Sequence, residues 1–388
     1  MGGGVSGLAI AILTHSTNSR GGVVHALELG EALTDLGHQA VVHAPGDRNA
    51  RFFREARCQT LIIKAAPAGA NLAETVALRS ADYVRHFEQP CARRFDVFHA
   101  QDGISGNALA TLAARGAIPG FARTVHHLDA FADTRLAALQ TRSIETARAL
   151  LTVSATVRDQ LAAGYGHRAT IVGNGVDRAR FSPACDGSEP ALRAKLGLGA
   201  GPIILAVGGI ERRKNSLNLL DAFVALRESH PGAQLVIAGG ASLLDHSEFQ
   251  STFHLRLAAS GLPPRAVILS GPLPQEEFPG LYRLADVLAF PSVQEGFGLA
   301  VLEAMASGVP VAVSHIAPFT EYLGAEDAAW CDPADPDSIV EALARAIEPG
   351  TRRDLVARGA IIAARHSWRA VAAAHLPIYE SLSEAVDA

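Results

Sequence analysis

The chain has 388 residues, of which 48% are hydrophobic and 19% charged, and its formal net charge at pH 7 is −5. This length exceeds one ordinary domain and predicts two domains, with three as the alternative. The net negative charge gives no indication of nucleic-acid binding, which is typical of strongly basic chains. No stretch approaches the roughly 20 apolar residues that span a bilayer, and the start of the chain lacks the basic region of a signal peptide.

Cysteine spacing and charge distribution bear on the compartment. The four cysteines are far apart and form no C-x-x-C pair, which is typical of reduced thiols in a cytoplasmic protein. Residues 1–185 carry 19 Lys and Arg against 15 Asp and Glu, and the remaining residues carry 15 against 24. The positive excess is interpreted either as surface variation or as a face for an anionic acceptor or the inner face of the membrane. Cytoplasmic localisation is therefore expected, and peripheral membrane contact stays open.

Short apolar strands alternate with helical patterns in the first half of the chain. A Gly21-Gly22 turn and an amphipathic helix over 23–36 are predicted between the first two strands. Buried strands that alternate with helices predict a parallel sheet covered on both faces. The predicted strands are 8–13, 39–43, 60–63, 96–99, 123–126, 150–153 and 170–172.

The same rhythm restarts after a linker, residues 182–190, that is rich in proline and glycine. The fold class is therefore predicted to be α/β, with two Rossmann-like, doubly wound parallel-sheet domains over 1–182 and 183–366. Ligands of such sheets bind beyond the carboxyl ends of the strands. The predicted strands are 203–207, 234–238, 267–270, 287–290, 309–313 and 328–331, and the helices 217–227, 248–259, 275–284 and 298–306.

The most informative motif follows the strand over 287–290. Glu295 stands just before the predicted helix, and Glu303 lies inside it. Gly296 and Gly298 allow an anionic ligand to approach the first helix amides, which have no internal partner and carry a partial positive charge. This segment can offer one carboxylate to a sugar, amides to a phosphate and a second carboxylate to a ribose diol.

At these residues the chain resembles the glycosyltransferases of family 4, which have the GT-B fold. The family pattern E-x7-E reads EGFGLAVLEAMASGVPV here, from Glu295 to Val311. The resemblance implies two domains that face each other across a cleft, the second binding a nucleotide-diphosphate sugar and the first an acceptor. It adds Phe297 and Leu299 to the donor site, and it implies that residues 367–388 form a terminal helix packing back on the first domain.

A basic loop follows the first strand of the second domain. Lys214 falls on the lysine of the family pattern, whereas Gly209 stands where the family has an arginine. Arg213 or Arg212 is predicted to replace that arginine, unless the second cation is absent. Each charged hydrogen bond contributes about 1.5–3 kcal/mol and would stabilise a diphosphate leaving group. The resemblance places the base near Gly271, Pro272 and Leu273.

The resemblance also assigns residues of the first domain. Gly21 and Gly22 match the family's glycine-rich loop, which faces the donor, and His126 falls on a histidine near the acceptor or the transferred sugar. The alternative for His126 is a structural role. The predicted acceptor-side residues are His127, Asp129 and Asp102.

Metal binding is not expected. Asp335 and Asp337 spell D-x-D, a metal motif of another transferase fold, but they directly precede the predicted helix over 338–347. Helix capping is the simpler interpretation. No histidine pair shows the spacing of a ligand motif. No cofactor is therefore predicted apart from the nucleotide-sugar co-substrate.

The resemblance implies a retaining enzyme that moves a hexosyl group to a hydroxyl acceptor by front-face attack. Catalysis is assigned to Glu295, Lys214, Arg213 and His126. The acceptor is a lipid-linked molecule, a small metabolite or a glycan. The alternatives are a sugar-nucleotide epimerase or glycan phosphorylase of the same fold, and a non-catalytic nucleotide-sugar-binding module. The sugar, the base and the oligomeric state stay open.

Overall fold

A computed structural model describes residues 7–240 and 246–384, which form two compact units. Unit 1 comprises residues 7–175 and 368–384, and unit 2 comprises residues 176–240 and 246–367. Each unit is built on one sheet in which every observed strand pair is parallel. The two parallel α/β domains predicted from the sequence are therefore confirmed.

Unit 1 contains a seven-stranded sheet in the order β3-β2-β1-β4-β5-β6-β7. The order reverses beside β1, so right-handed crossovers put helices on both faces of the sheet. The strands are β1 (Ala9–Leu13), β2 (Gln39–Gly46), β3 (Gln59–Lys64), β4 (Val97–Ala100), β5 (Ala122–Val125), β6 (Ala149–Thr152) and β7 (Thr170–Ile171). The first five helices are α1 (Gly21–Asp35), α2 (Leu72–Phe87), α3 (Gly103–Ala114), α4 (Thr134–Glu145) and α5 (Ala155–Tyr165), with a 3₁₀ turn at Pro90–Arg93.

Unit 2 contains a six-stranded sheet in the order β10-β9-β8-β11-β12-β13, which reverses beside β8. The strands are β8 (Ile203–Val207), β9 (Gln234–Ala238), β10 (Val267–Gly271), β11 (Val287–Phe290), β12 (Val311–Ser314) and β13 (Ala329–Cys331). The helices are α6 (Glu189–Leu196), α7 (Ser216–Ser229), α8 (Ser247–Ala259), α9 (Phe278–Leu284), α10 (Leu299–Ala306), α11 (Phe319–Tyr322), α12 (Pro336–Ile347) and α13 (Pro349–Arg365). Two 3₁₀ turns lie at Arg212–Lys214 and Gln275–Glu277.

The chain returns to unit 1 in α14 (Trp368–Glu384), which packs against α1. Trp368 and Tyr379 of α14 are buried. Burial of such large apolar side chains is the main favourable contribution to the free energy of docking a helix. Within the described residues, no helix combines the length and apolarity that a membrane span requires.

The predicted Gly21-Gly22 turn is wrong, because α1 already begins at Gly21. Both glycines lie in its first turn. A Cβ on Gly22 would lie 3.2 Å from Cδ2 of His126, a contact that most side chains cannot make without a shift. Glycine at this position therefore serves close packing against His126 rather than a change of chain direction.

The cap predicted for α12 is confirmed. The Asp335 side chain accepts a hydrogen bond from the backbone N–H of Asp337 at 3.0 Å, at the N-terminus of the helix. An aspartate in this position satisfies an amide that the helix leaves without a partner. The D-x-D sequence is thus accounted for by local helix structure.

Candidate functional site

The candidate donor site lies in unit 2, at the carboxyl ends of β8 and β11. A pocket there is lined by residues of both strands and of the loops that follow them. Gly208 has φ +127, and a Cβ on it would lie 3.0 Å from Cε of Lys214. Glycine therefore lets the Lys214 side chain lie across the end of β8. The ammonium of Lys214 reaches within 4.0 Å of the Phe290 ring centroid, a favourable cation–π distance.

Lys214 and Glu295 form the centre of this site. The Lys214 Nζ atom is 2.6 Å from Oε1 of Glu295, and Nη1 of Arg213 is 3.0 Å from the same oxygen. The Ser292 hydroxyl donates a third hydrogen bond to Oε1, at 3.1 Å. The side chains of Glu295 and Lys214 are only 9% and 15% exposed. One nearly buried carboxylate oxygen thus gathers two cations and a hydroxyl, and the expected proximity of Lys214, Arg213 and Glu295 is present.

Burial and the neighbouring charges shift the pKa values of Glu295 and Lys214. Burial acts to raise the pKa of Glu295, but Lys214 and Arg213 outweigh it and hold that pKa below its ordinary value. Burial lowers the pKa of Lys214, and Arg213 adds to this, while Glu295 opposes it. Lys214 and Arg213 thus keep the Glu295 carboxylate ionised at neutral pH.

Arg213 and Arg212 take different positions. The Nε atom of Arg213 is 3.0 Å from Oε2 of Glu211, whose side chain is 7% exposed, so Arg213 bridges two carboxylates. Arg212 instead lies over the ring of Phe249 at 5.5 Å. The structure therefore brings Arg213 to Glu295 and directs Arg212 toward α8. Glu211 was not predicted from the sequence, because an acidic residue in a basic loop has no pattern of its own.

The backbone is closely packed around Gly209. A Cβ on Gly209 would lie 2.7 Å from the carbonyl oxygen of Gly240, and a Cβ on Gly240 would lie 3.0 Å from Cγ of Pro272. The loops after β8, β9 and β10 therefore meet at Gly209, Gly240 and Pro272. Gly239-Gly240 was not predicted as part of the site. It could have been found as a glycine pair directly after a strand, a pattern that Gly208-Gly209 also shows.

The turn before α10 is specified by Gly298. Its φ is +95, and a Cβ would lie 2.6 Å from Cε1 of Phe319. No side chain caps α10, so amides near Leu299 can meet a ligand. Phe297 is buried and stacks on Tyr322 at 4.9 Å, which gives it a packing role. Gly296 is half-buried in the same turn.

Glu303 is the fifth residue of α10. The hydroxyl of Tyr282, in α9, donates a hydrogen bond to its Oε2 at 2.7 Å. Burial raises the pKa of Glu303, while Tyr282 and Arg180 act in the opposite direction. The predicted base-binding segment begins at Gly271, which has φ +65 at the end of β10, and continues through Pro272 to the half-exposed Leu273.

In unit 1, His126 follows β5 and is hydrogen-bonded to Gln101. Its Nε2 is 2.9 Å from Oε1 of Gln101, and its ring lies 4.9 Å from that of His25 in an edge-to-face contact. Gly22 packs against the His126 ring, whereas a Cβ on Gly21 would meet nothing within 4 Å. The structure therefore brings Gly22 and His126 together, as predicted residues of one site.

His126 belongs to a histidine cluster formed by His25, His99, His126 and His375. The two ring nitrogens of His99 lie 2.7 Å from the Tyr379 hydroxyl and 2.8 Å from Oγ1 of Thr124. Burial lowers the pKa of His25 to about 4 and that of His375 to about 3. Burial also holds the pKa values of His99 and His126 well below the ordinary value. The cluster is uncharged at neutral pH.

The predicted acceptor-side residues are spread over two loops. Nε2 of His127 lies 3.4 Å from Oδ2 of Asp129, and both side chains are exposed. Asp102 caps α3 by accepting a hydrogen bond from the N–H of Ser105, and its Oδ2 is 3.5 Å from Nδ1 of His15. Burial acts to raise the pKa of Asp102, but His15 and Arg123 hold it below its ordinary value. Asp102 therefore already serves the start of α3.

Among the residues that the structure describes, no group of three or more His, Cys, Asp or Glu side chains is arranged to hold a metal ion. The positive groups at the candidate donor site are instead Lys214 and Arg213. Both lie within 3.0 Å of the same carboxylate oxygen. A polyanionic ligand at this site would therefore meet covalently attached cations.

Two family models match the chain. Residues 19–180 match "Glycosyltransferase Family 4", and residues 188–360 match "Glycosyl transferases group 1". A D-inositol 3-phosphate glycosyltransferase from Corynebacterium jeikeium is 32% identical over 313 residues, which cover 75% of this chain and 73% of that protein.

Solved structures with the same fold include a sucrose-phosphate synthase from Thermosynechococcus elongatus, with a TM-score of 0.79 and 23% identity over 97% of this chain and 99% of that one. The HepE protein of Anabaena, in complex with UDP and glucose, has a TM-score of 0.75 and 18% identity over 97% and 99%. These likenesses confirm the expected fold class.

Proposed function

The chain belongs to the family-4 glycosyltransferases, and on this premise we propose that it transfers a hexosyl group from a nucleotide-diphosphate sugar to a hydroxyl acceptor, with retention of the anomeric configuration. Glycosyl transfer itself follows from the family. The donor, the sugar class and the stereochemistry are our proposal, and so are the roles of individual residues.

The observation that carries the proposal is the convergence of Lys214 and Arg213 on Oε1 of Glu295. When a glycosidic bond to a diphosphate breaks, negative charge grows on the phosphate oxygens, and fixed cations stabilise it. Lys214 and Arg213 would bind these oxygens. Their bonds to Glu295 would then be shared with the phosphates, which frees the carboxylate to accept from sugar hydroxyls and to face the positive charge that develops at the anomeric carbon.

The nucleoside would be held on either side of this centre. The uncapped start of α10, near Gly298 and Leu299, offers backbone amides to the diphosphate. Glu303, one turn further along the same helix, would accept hydrogen bonds from the ribose diol. Gly271, where a Cβ would meet nothing within 4 Å, leaves the backbone at the end of β10 open for contact with the base.

His126 would orient the sugar or the acceptor. Oε1 of Gln101 is a hydrogen-bond acceptor, so it favours the tautomer in which Nε2 of His126 carries the proton. The lone pair then resides on Nδ1, and burial keeps the ring uncharged. A neutral imidazole with a free lone pair accepts a hydrogen bond from a hydroxyl without attracting the phosphates.

Front-face attack is the step that these groups support. The acceptor hydroxyl approaches from the side on which the phosphate departs, its proton passes to a departing phosphate oxygen, and the new glycosidic bond forms as the old one breaks. Glu295 is held by Lys214, Arg213 and Ser292, which suits electrostatic support rather than covalent attack. No metal ion is required in this scheme, because Lys214 and Arg213 supply the positive charge.

The relatives support the substrate class. The name D-inositol 3-phosphate glycosyltransferase indicates glycosyl transfer to a polyol phosphate, and the HepE structure contains UDP and glucose. By analogy with these proteins, we propose a hexose donor and a hydroxyl acceptor for this chain.

A donor and acceptor screen tests the proposal. The protein would be screened by thermal shift against UDP-, GDP- and ADP-glucose and the corresponding mannose donors, and the best donor would be incubated with polyol, sugar-phosphate and glycan acceptors. We expect one base to stabilise the fold, a product heavier by one hexose in mass spectrometry, and an unchanged anomeric configuration by NMR. Turnover that requires inorganic phosphate, epimerised donor without acceptor, or an inverted product would contradict the proposal.

Glu303→Ala examines the ribose assignment separately. The variant should weaken nucleotide binding by about tenfold in calorimetry, because it removes a hydrogen-bonded carboxylate. Unaltered affinity would exclude Glu303 from the donor site.

A further inference from the structure

Tyr282 has one polar atom, and the structure commits it to Glu303. The tyrosine ring is fully buried in unit 2. Its hydroxyl donates to Oε2 of Glu303 at 2.7 Å. Burial raises the pKa of Tyr282 well above its ordinary value, and Glu303 adds to this effect, so the hydroxyl keeps its proton and remains a donor.

The surroundings of Tyr282 fix its direction. The ring of Phe181 meets it edge to face, with centroids 5.7 Å apart, and the guanidinium of Arg180 lies over Phe181 at 4.9 Å. Arg180 in turn donates from Nη2 to both the carbonyl and the side-chain oxygen of Gln275, at 2.8 and 2.9 Å. Gln275 follows the predicted base-binding segment by two residues, so this framework connects the base and ribose ends of the candidate donor site.

We propose that Tyr282 is a positioning residue for donor binding: its hydrogen bond to Oε2 orients the Glu303 carboxylate so that it accepts from the ribose hydroxyls of a nucleoside diphosphate. This inference rests on the proposed function, and it names the part of the ligand that Tyr282 serves. A carboxylate on a helix can rotate about three side-chain bonds, and a fixed donor on one oxygen reduces that freedom before the ligand arrives. Tyr282 acts through Glu303 and does not itself touch the nucleotide.

Nucleotides without ribose hydroxyls distinguish this role from a structural one. The probes are UDP, GDP and ADP, of which the tightest binder is used, together with its 2′-deoxy and 2′,3′-dideoxy forms. Dissociation constants would be measured by calorimetry for the full chain and for Tyr282→Phe, Glu303→Gln and the double variant. Tyr83→Phe is the matched control, because Tyr83 is equally buried but lies in unit 1, where its hydroxyl donates to the backbone.

We expect Tyr282→Phe to weaken binding of the ribonucleotide about tenfold and to leave binding of the dideoxy form within about twofold of the original. In the Glu303→Gln background, Tyr282→Phe should cause little further loss, because both changes act on one interaction. Tyr83→Phe should bind both nucleotides as the original chain does.

Equal losses for the ribonucleotide and the dideoxynucleotide, or no loss at all, would overturn the positioning role while leaving the proposed function intact. Failure of the original chain to bind any of the three nucleotides would overturn the proposed function and this inference together. Thermal unfolding of Tyr282→Phe would be followed in parallel. A folded variant that still distinguishes ribose from deoxyribose to the original extent also contradicts the role.

Discussion

The two units place chemically different groups at their candidate sites. In unit 2, charged side chains converge, with two cations on one oxygen of Glu295 and Glu211 as a second counter-ion. In unit 1, the histidine cluster is neutral, and its hydrogen bonds run to the hydroxyls of Tyr379 and Thr124 and to the amides of Asn174 and Gln101. The sheets have related topologies, yet one site is built from ions and the other from uncharged polar groups.

This difference indicates what each unit is suited to bind. Cations that share a carboxylate can form additional hydrogen bonds to the oxygens of a highly charged ligand, because an ammonium and a guanidinium each carry several N–H donors. Neutral imidazoles and amides form bonds with hydroxyls at little electrostatic cost, and they neither attract nor repel a phosphate strongly. We therefore propose a diphosphate as the ligand of the charged site in unit 2, and a sugar or another polyol as the ligand of His126, the half-buried member of the cluster in unit 1.

The largest expected effect comes from Lys214→Ala. Removal of the ammonium should lower turnover of a nucleotide-sugar by about 10²–10³-fold, as loss of a group that stabilises developing charge generally does. The melting temperature should change little, because Glu295 retains Arg213 and Ser292. Lys195→Ala is the control, since Lys195 pairs with Glu277 on the surface. Wild-type turnover in Lys214→Ala would remove the lysine from the mechanism.

The neutral cluster of unit 1 predicts a marked pH dependence of stability. The folded-state pKa of His25 is about 4, below its ordinary value of 6.5. The unfolded chain therefore binds protons first as the pH falls below about 6.5, and stability declines until about pH 4, where the folded ring is protonated as well. His25 alone should account for a loss on the order of 3 kcal/mol.

Denaturant unfolding between pH 7.5 and pH 4 measures this loss. The slope of the unfolding free energy against pH reports how many more protons the unfolded chain binds than the folded protein. His25→Gln should reduce that difference by about one proton. His254→Gln, the same change at an exposed histidine of α8, is the control. A slope that is the same in the original chain and in His25→Gln would show that His25 takes up its proton over the same pH range in the folded protein as in the unfolded chain.

Gly298→Ala tests the turn before α10 in the candidate site of unit 2. Because Gly298 has a positive φ and a Cβ there would lie 2.6 Å from Phe319, the substitution should destabilise the fold by about 1–3 kcal/mol. It should also weaken nucleotide binding at α10. Gly164→Ala is the matched control, because a Cβ on this helical glycine of α5 meets nothing within 4 Å. The control should be neutral or stabilising by about 0.5 kcal/mol. Equal melting temperatures of the two variants would argue against the required turn.

The smallest effect should come from removal of divalent metal ions. Because Lys214 and Arg213 bring positive charge to the proposed diphosphate position, EDTA should change turnover by less than about twofold. Initial rates with and without chelator, followed by added Mg²⁺, test this expectation. A complete loss that Mg²⁺ restores would show that the two side chains are insufficient.

The sequence predicted the elements of regular structure well, because parallel strands buried on both faces are continuous apolar runs. The strand over 287–290 and the E-x7-E segment are the clearest cases. Where the sequence failed, tertiary packing was responsible. β2 continues through Pro45 and Gly46, which usually mark a break, because they pair with Ile63 and Lys64 of β3.

The site was only partly predictable for a similar reason. Lys214 and Glu295 lie in local patterns that can be read from the chain. The partners of Glu303 and His126 do not lie in such patterns, since the hydrogen bonds that join Tyr282 to Glu303 and Gln101 to His126 connect residues 21 and 25 positions apart. Such pairs exist only once the chain has folded.

The return of α14 to unit 1 has a consequence for synthesis on the ribosome. This helix supplies Trp368 and His375 beside His25, and Tyr379 beside His99, yet it is translated after the whole of unit 2. The nascent unit 1 therefore lacks part of its apolar packing until α14 has been synthesised. Unit 2, which is continuous in the chain, is free to acquire its native structure first.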